Sequence, residues 1–233
     1  MKDLQLVQEL LKAKNEVVQE IHKTIVGQDK VIEDLLIALF CKGHCLFVGV
    51  PGLAKTLLVN TLSQALSLGF SRIQFTPDLM PSDITGTEIL HEDPVTGKRV
   101  FQFIKGPVFS NIILADEINR STPRTQSALL EAMNEKQVSA DNNTYNLEEP
   151  FMVIATQNLI ESQGTYPLPE SQLDRFMFYV SMGYPSQDEE RRLLQEQSTR
   201  PDPASIQPVL EKEEVLKLQT LVDSVNIEPV LTD

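Results

Sequence analysis

A glycine-containing loop between an apolar run and a helical pattern constrains the fold of this 233-residue chain more than any other feature. The loop is Gly49-Val-Pro-Gly-Leu-Ala-Lys-Thr56, and the run Cys45–Val48 before it is typical of a buried parallel strand. From Lys55 to Leu68 the leucines recur at helical spacing. Because this order turns backbone N–H groups and the positive end of a helix dipole toward one point, it predicts a phosphate-binding loop.

The side chains of this loop indicate a nucleotide with Mg²⁺. Lys55 is placed to reach the β- and γ-phosphates, and the Thr56 hydroxyl to ligate the metal. Ala54 stands where the usual pattern has a second glycine; it fits if it has helical dihedral angles, but it excludes a positive φ. The alternative is a strand, turn and helix that carry Gly and Lys by coincidence. The expected contacts to the nucleotide are Gly49, Pro51, Gly52, Leu53, Ala54, Lys55, Thr56 and Leu57.

Two carboxylates end a further buried strand. Ile112–Ala115 is apolar and is followed by Asp116 and Glu117, about 60 residues after the loop. Open α/β sheets bind ligands at the carboxyl ends of their strands. We therefore expect Asp116 to hold Mg²⁺ through water and Glu117 to act as the general base for an attacking water. The alternative, a solvated acidic pair at a strand end, is less favoured after a phosphate-binding loop.

Polar residues also flank two later strands. Phe151–Ala155 leads into Asn158, which is placed to orient the attacking water or to contact the γ-phosphate; the alternative is that it only caps the strand. Arg175 immediately precedes the strand Phe176–Met182. An arginine there can lie at a subunit boundary and neutralise γ-phosphate charge in a neighbouring site. The alternative is a salt bridge within the chain.

The order of the elements predicts the fold class. Strands that alternate with helices favour an α/β fold with a five-stranded parallel sheet flanked by helices. Thr76–Gly106 is rich in turn residues and predicts loops plus a β-hairpin, and Val138–Leu147 predicts a second hairpin. From Pro185 the chain changes to charged helical segments. We therefore expect a core over residues 1–184 and an incomplete, truncated helical lid over 185–233.

Composition limits the classes of partner. The chain has 33 acidic and 20 basic residues, a net charge of −13, and no basic run, so nucleic acid is a poor partner. No stretch approaches 18 consecutive apolar residues, so we expect no membrane span, and without a secretory leader the simplest compartment is the cytoplasm. Cys41, His44 and Cys45 lack the second ligand pair that a zinc site needs.

Four segments together are specific in order and spacing, and they closely resemble the MoxR family of AAA+ ATPases. They are Gly49–Thr56, Asp116-Glu-Ile-Asn-Arg120, Ala155-Thr-Gln-Asn158 and Leu168-Pro-Glu-Ser-Gln-Leu-Asp-Arg-Phe176. The resemblance extends from Ile25-Val-Gly-Gln28 to about Val225. In that family alanine is common where Ala54 stands.

The resemblance implies a role for each of these residues. Lys55 and Thr56 would belong to Walker A, and Asp116 and Glu117 to Walker B. Asn158 would be sensor 1 and Arg175 the arginine finger. Val26 and Gly27 would line the adenine pocket. Residues 76–106 resemble the helix-2 insertion of the family, and 138–147 the hairpin before sensor 1.

The resemblance also implies an activity and partners. Such proteins bind ATP and Mg²⁺, hydrolyse ATP, and form hexameric rings that act as chaperone-like remodelers of protein complexes. Their partners often contain von Willebrand factor A domains, and some take part in metal or cofactor insertion. The sensor 2 arginine of the lid has no matching segment before Asp233.

Two alternatives to a remodeling ATPase are considered. The first is a nucleotide-gated protein-binding module in which hydrolysis is incidental. The second is a DNA translocase, because related rings with helix-2 insertions include replicative helicases. The net charge of −13 and the absence of basic residues from Val138–Leu147 argue against the second.

Overall fold

The computed structural model describes residues 2–49, 53–92, 99–140, 143–158, 164–184, 186–196 and 206–225. Pro51 and Gly52 of the phosphate-binding loop lie outside the described residues, as do parts of the predicted lid. The strands are β1 (Cys45–Gly49), β2 (Phe70–Gln74), β3 (Gly86–Glu92), β4 (Arg99–Lys105), β5 (Ile112–Asp116), β6 (Gln137–Ala140), β7 (Asn143–Asn146), β8 (Met152–Gln157) and β9 (Phe178–Met182). The helices are α1 (Lys2–His22), α2 (Asp29–Phe40), α3 (Lys55–Ala65), α4 (Pro81–Thr85), α5 (Pro123–Glu135), α6 (Glu170–Leu173), α7 (Gln187–Glu196) and α8 (Lys212–Asp223).

Five parallel strands form the central sheet, in the order β2-β5-β8-β1-β9. The predicted α/β fold class is confirmed. The sheet is covered on both faces, and β5 illustrates why its strands read as unbroken apolar runs. Its residues Ile112 and Leu114 pack into the core on one face, while Ile113 and Ala115 pack into the core on the other.

Helices α1, α2, α3 and α8 cover one face of the sheet, and α5 covers the other. Helix α8 is anchored by the buried residues Val215 and Leu218 and by Gln219, whose Nε2 donates a hydrogen bond to the Leu39 carbonyl oxygen at 2.7 Å. The predicted boundary between the core domain and the lid, after residue 184, stays a prediction. Helix α8 lies beyond that boundary, but it shares a hydrophobic core with α1, α2 and α3. No helix within the described ranges combines the length and the apolar character needed to cross a membrane.

Two antiparallel hairpins extend from the sheet, β3–β4 and β6–β7, where both were predicted. They meet where the ring of Phe103 stacks on that of Tyr145, with centroids 4.1 Å apart. Helix α4 lies within a stretch that was predicted as loop. Pro81 is its first residue and Asp83 Oδ2 accepts a hydrogen bond from the Met80 N–H at 2.8 Å, so this short turn of helix is fixed locally.

Two predicted boundaries are wrong by a few residues. Helix α3 ends at Ala65 rather than Leu68, because Ser67 adopts a left-handed conformation (φ 50°) and the Leu68 N–H turns back to the Ser63 carbonyl. Strand β9 begins at Phe178 rather than Phe176, because the Phe176 N–H still bonds to the Leu173 carbonyl at the end of α6.

Candidate active site

A cavity of about 540 Å³ opens at the carboxyl edge of the sheet. The parallel register aligns the ends of β1, β5 and β8, so residues distant in sequence meet there. A cavity of this size fits a small-molecule ligand such as a nucleotide. Its described lining consists of Gly49, Leu53, Ala54, Lys55, Thr56, Leu57, Arg72, Gln74, Asp116, Glu117, Thr156 and Asn158.

Gly49 and Ala54 shape the two ends of the phosphate-binding loop. A Cβ on Gly49 would lie 2.4 Å from the Met182 carbonyl oxygen, so β9 leaves room only for glycine. The expectation of helical dihedral angles at Ala54 is wrong, because it precedes α3 with φ 54° and ψ 26°. The chain turns into the helix through this left-handed residue, a conformation that costs alanine about 1–2 kcal/mol.

Lys55 brings a positive charge to the wall of the cavity. Its Nζ lies 3.5 Å from the Gly49 carbonyl oxygen, inside the turn of the loop. Burial lowers the pKa of Lys55, while the carboxylates of Asp116 and Glu117 oppose this shift. A partly desolvated ammonium group near two carboxylates is suited to pair with an incoming phosphate group.

Asp116 is held from two neighbouring strands. Its Oδ2 accepts hydrogen bonds from Arg72 Nη2 at 2.6 Å and Arg72 Nε at 3.2 Å. Its Oδ1 accepts a hydrogen bond from Thr156 Oγ1 at 2.6 Å. Arg72 comes from β2 and Thr156 from β8, on either side of β5, so this carboxylate has a fixed position in the cavity wall.

Glu117 adopts a left-handed backbone conformation, with φ 55° and ψ 50°. Its N–H donates to Thr156 Oγ1 at 2.8 Å, and its Oε2 accepts hydrogen bonds from Gln74 Nε2 at 3.1 Å and Arg120 Nη1 at 2.8 Å. A non-glycine residue in this conformation stores strain that the surrounding contacts must hold, which is common at functional sites.

Sequence reasoning did not identify Arg72, Gln74 or Thr156 as parts of the site. Arg72 and Gln74 are two positions apart on β2, so both point to the same side of the sheet. The polar residues at alternate positions of β2 indicated, from the local sequence, that one side of this strand carries polar side chains. It did not reveal that β2 lies next to β5, because strand order is a long-range property.

Asn158 lines the cavity, and its carbonyl oxygen accepts a hydrogen bond from Asn119 Nδ2 at 3.4 Å. Val26 and Gly27 are not among the described residues that line the cavity. Val26 is buried, and Gly27 is covered by α7, where a Cβ would lie 1.9 Å from Glu189 Oε1. Their role in an adenine pocket stays a prediction.

Arg175 lies at the opposite edge of the sheet. It precedes β9 at its amino end, whereas the cavity is at the carboxyl end, about 16 Å away for a five-residue strand. Its Nε and Nη1 atoms are buried and have no hydrogen-bond partner among the residues the structure describes. It borders a second cavity of about 260 Å³ together with Glu131, Glu135 and Gln172.

The cavity fits Mg²⁺ by the chemistry of its donors. The Thr56 hydroxyl and the Asp116 carboxylate are hard oxygen ligands that line the same space. Mg²⁺ bound to a nucleotide usually needs only one or two protein ligands, because it keeps several waters. Within the described ranges there is no cluster of three or more His, Cys, Asp or Glu side chains for a metal held by protein alone.

Comparisons with known proteins agree with this geometry. The family model for the ATPase family associated with various cellular activities (AAA) matches residues 44–178, which include β1, the loop and both carboxylates. Chaperone MoxR1 of Mycobacterium tuberculosis is 46% identical over 214 residues, 92% of this chain and 55% of its own length. The chain belongs to the MoxR family of AAA+ ATPases.

Two further similar proteins match nearly the whole chain. The protein YeaC of Bacillus subtilis is 46% identical over 211 residues, 91% of this chain and 65% of YeaC. A crystal structure from Cytophaga hutchinsonii has 46% identity and a TM-score of 0.85, and the match covers 99% of this chain and 70% of that one. The chain thus spans between about half and two thirds of the length of these curated relatives.

Proposed function

We propose that this chain binds ATP in the cavity at the carboxyl edge of the sheet and hydrolyses it to drive the remodeling of protein complexes. The observation that carries the proposal is one cavity lined by a phosphate-binding lysine, a hydroxyl and two carboxylates. These groups are Lys55, Thr56, Asp116 and Glu117. The membership of the chain in the MoxR family of AAA+ ATPases supports the same reaction.

Each residue has a distinct task in this proposal. Lys55 pairs with the β- and γ-phosphates, while Thr56 and Asp116 hold Mg²⁺, which when bound neutralises charge on the phosphate oxygens. Glu117 accepts a proton from the attacking water. Thr156 holds the Asp116 carboxylate and the Glu117 backbone in place, since its hydroxyl bonds to Asp116 Oδ1 and to the Glu117 N–H. Asn158 orients the water or contacts the γ-phosphate.

Arg175 acts in the site of a neighbouring subunit in this proposal. It is too far from the cavity of its own chain, and the buried Nε and Nη1 atoms lack partners among the described residues. Arg175 borders a cavity with Glu131 and Gln172, and an arginine at a subunit boundary can neutralise γ-phosphate charge in a neighbouring site. We infer a homo-oligomeric ring, which is hexameric as the family resemblance implies.

A protein client is the remaining part of the proposal. A relative is named as a chaperone, and the net charge of −13 disfavours nucleic acid. We infer a partner protein, with a von Willebrand factor A domain as the first candidate, and metal or cofactor insertion as one outcome of the remodeling.

Nucleotide binding and hydrolysis by the full chain test the proposal. Binding of a fluorescent ATP analogue and phosphate release are measured with and without Mg²⁺. Lys55→Ala is expected to weaken binding about 10- to 100-fold, because it removes a charge-assisted contact to phosphate. The control Lys12→Ala changes an exposed lysine on α1, outside the cavity lining, and is expected to have no effect. Wild-type binding and turnover in Lys55→Ala would contradict the proposal.

The client is tested separately. Glu117→Gln loaded with ATP is used as bait, and capture of a protein with a von Willebrand factor A domain is compared between ATP and ADP. Capture that requires ATP and is lost in Lys55→Ala supports remodeling. If the wild-type chain hydrolyses ATP but the capture of the client is the same with ATP and with ADP, the coupling of ATP hydrolysis to client remodeling is contradicted.

A further inference from the structure

Arg72 reaches across from β2 to the metal carboxylate of the proposed site. In the parallel register, Arg72 is level with Leu114 and Gln74 with Asp116, so the long side chain of Arg72 extends along the sheet to its carboxyl edge. There Nη2 and Nε both donate to the same oxygen, Asp116 Oδ2, at 2.6 and 3.2 Å. Arg72 lines the cavity and about half of its side chain is exposed, while the Asp116 side chain is only 19% exposed.

The hydrogen bonds to Asp116 nearly fill its acceptor capacity. A carboxylate offers about four lone-pair positions. Arg72 Nε and Nη2 take two on Oδ2, and Thr156 Oγ1 takes one on Oδ1. The guanidinium group also neutralises the negative charge that would attract a divalent cation. In this arrangement the carboxylate has little left to offer to a hydrated metal ion.

We propose that Arg72 is a positioning residue that competes with Mg²⁺ for Asp116. It holds the carboxylate in place before the metal–nucleotide complex enters, and it must leave Oδ2 when that complex binds, because two cations repel each other across one carboxylate. This inference rests on the proposed function, in which Asp116 takes part in holding Mg²⁺.

The departure of Arg72 extends beyond Asp116. Arg72 Nη2 also donates to Gln74 Oε1 at 2.7 Å, and Gln74 Nε2 donates to Glu117 Oε2 at 3.1 Å. Because the same Nη2 atom bonds to both groups, a guanidinium group that leaves Oδ2 would also change its contact with Gln74. The two acidic residues of the site are connected through a side chain whose position depends on the metal.

Binding of Mn²⁺, a paramagnetic substitute for Mg²⁺, tests the competition without reference to turnover. The affinity of the full chain for Mn²⁺ is measured by electron paramagnetic resonance in the presence of saturating ADP. Arg72→Met removes the competing charge at similar length, and we expect about fivefold tighter Mn²⁺ binding, the upper value of a partly exposed ion pair. Arg72→Lys keeps a charge but loses the two-pronged contact and is expected to lie between Arg72→Met and wild type.

The control is Arg99→Met, which removes the same charge from the exposed start of β4 and leaves the cavity lining unchanged. Unchanged or weaker Mn²⁺ binding in Arg72→Met, in a protein whose wild type binds ADP and Mn²⁺, would overturn the competition but not the proposed function. If wild type binds neither ADP nor Mn²⁺, the proposed function fails, and the inference fails with it.

A measurement on the unaltered protein gives an independent result. The ¹H–¹⁵N resonance of Arg72 Nε, assigned by its absence from Arg72→Lys, reports the hydrogen bond to Asp116. We expect it to shift and to exchange faster with solvent when Mg²⁺ and ADP are added together, and to change little with ADP alone. A resonance that keeps its protection with Mg²⁺ and ADP would overturn the proposal.

Discussion

Thr156 connects the two acidic residues of the site through a single hydroxyl. It donates to Asp116 Oδ1 at 2.6 Å and accepts from the Glu117 N–H at 2.8 Å. It is almost fully buried, at 2% exposure, so neither bond is readily replaced by water. The same hydroxyl thus helps to hold Glu117 in its left-handed conformation.

Thr156→Val keeps the shape of the side chain and removes both hydrogen bonds. We expect ATP turnover to fall about 100-fold, because small displacements of a reacting group cost this much. The loss of buried hydrogen bonds is expected to lower the free energy of unfolding by about 1–3 kcal/mol. Steady-state phosphate release measures the first effect, and Thr156→Ser is expected to retain most of the activity. Wild-type turnover in Thr156→Val would contradict this role.

Ala54 carries backbone strain that glycine would relieve. At φ 54° the methyl group costs about 1–2 kcal/mol, and the greater entropy of an unfolded glycine offsets part of that gain. We therefore expect Ala54→Gly to raise the free energy of unfolding by about 0.5 kcal/mol in urea denaturation without nucleotide. The matched control, Ala128→Gly within α5, is expected to lower it by about 1 kcal/mol. A free energy of unfolding lower in Ala54→Gly than in wild type would contradict the assignment of backbone strain to Ala54.

At the scale of elements, the sequence predicted strands and helices that show in local residue patterns. It missed contacts that depend on which strands lie side by side. The strands of the sheet were found because runs such as Ile112–Ala115 are apolar throughout, as two covered faces require. Helix α4 was missed because its five residues lie among turn residues. Arg72 and Gln74 were missed because only the pairing of β2 with β5 brings them to Asp116 and Glu117.

The same distinction applies to the site. The phosphate-binding loop and the two carboxylates were predicted because they lie at strand ends and a helix start, which a few consecutive residues are enough to recognise. Ala54 was predicted in the wrong conformation because alanine was taken to exclude a positive φ, whereas the turn into α3 imposes φ 54° on it. The hydroxyl of Thr156 could not be assigned, because its partners Asp116 and Glu117 lie at and just after the end of β5 rather than on its own strand.

Helix α8 gives an element-scale prediction. Val215 is fully buried in the core shared with α1, α2 and α3. Val215→Ala is therefore expected to lower the global free energy of unfolding by about 2 kcal/mol in a single transition. Urea denaturation followed by circular dichroism measures this, with Lys217→Ala on the exposed side of α8 as the control. A separate early transition for α8 would contradict a shared core.

At the scale of the whole molecule, the proposed active site is divided between two subunits. Each chain carries a cavity at the carboxyl edge of its sheet and Arg175 near the amino edge. An interface that joins these two surfaces is heterologous, and a heterologous interface forms a ring when its rotation closes. Neither half is expected to hydrolyse ATP efficiently by itself.

Mixing two inactive variants tests this division. Lys55→Ala retains Arg175 but binds the nucleotide weakly and lacks the lysine charge on the phosphates, and Arg175→Ala retains the cavity but lacks the arginine. In an equimolar mixed assembly one interface in four is expected to have both parts, so turnover should recover to about a quarter of wild type. The control mixes Lys55→Ala with the double variant Lys55→Ala, Arg175→Ala, which cannot form a complete site. No recovery in mixed assemblies of confirmed composition would contradict a shared site.

Paired measurements of ATP affinity and ATP turnover in Glu117→Gln test the central claim most directly. The substitution keeps the size and the hydrogen-bonding oxygen of the side chain but removes its ability to accept a proton. The account predicts wild-type affinity for ATP and a turnover about 10²- to 10⁴-fold lower. Hydrolysis at the wild-type rate by Glu117→Gln would contradict the assignment of Glu117 as the general base, and with it the proposed mechanism.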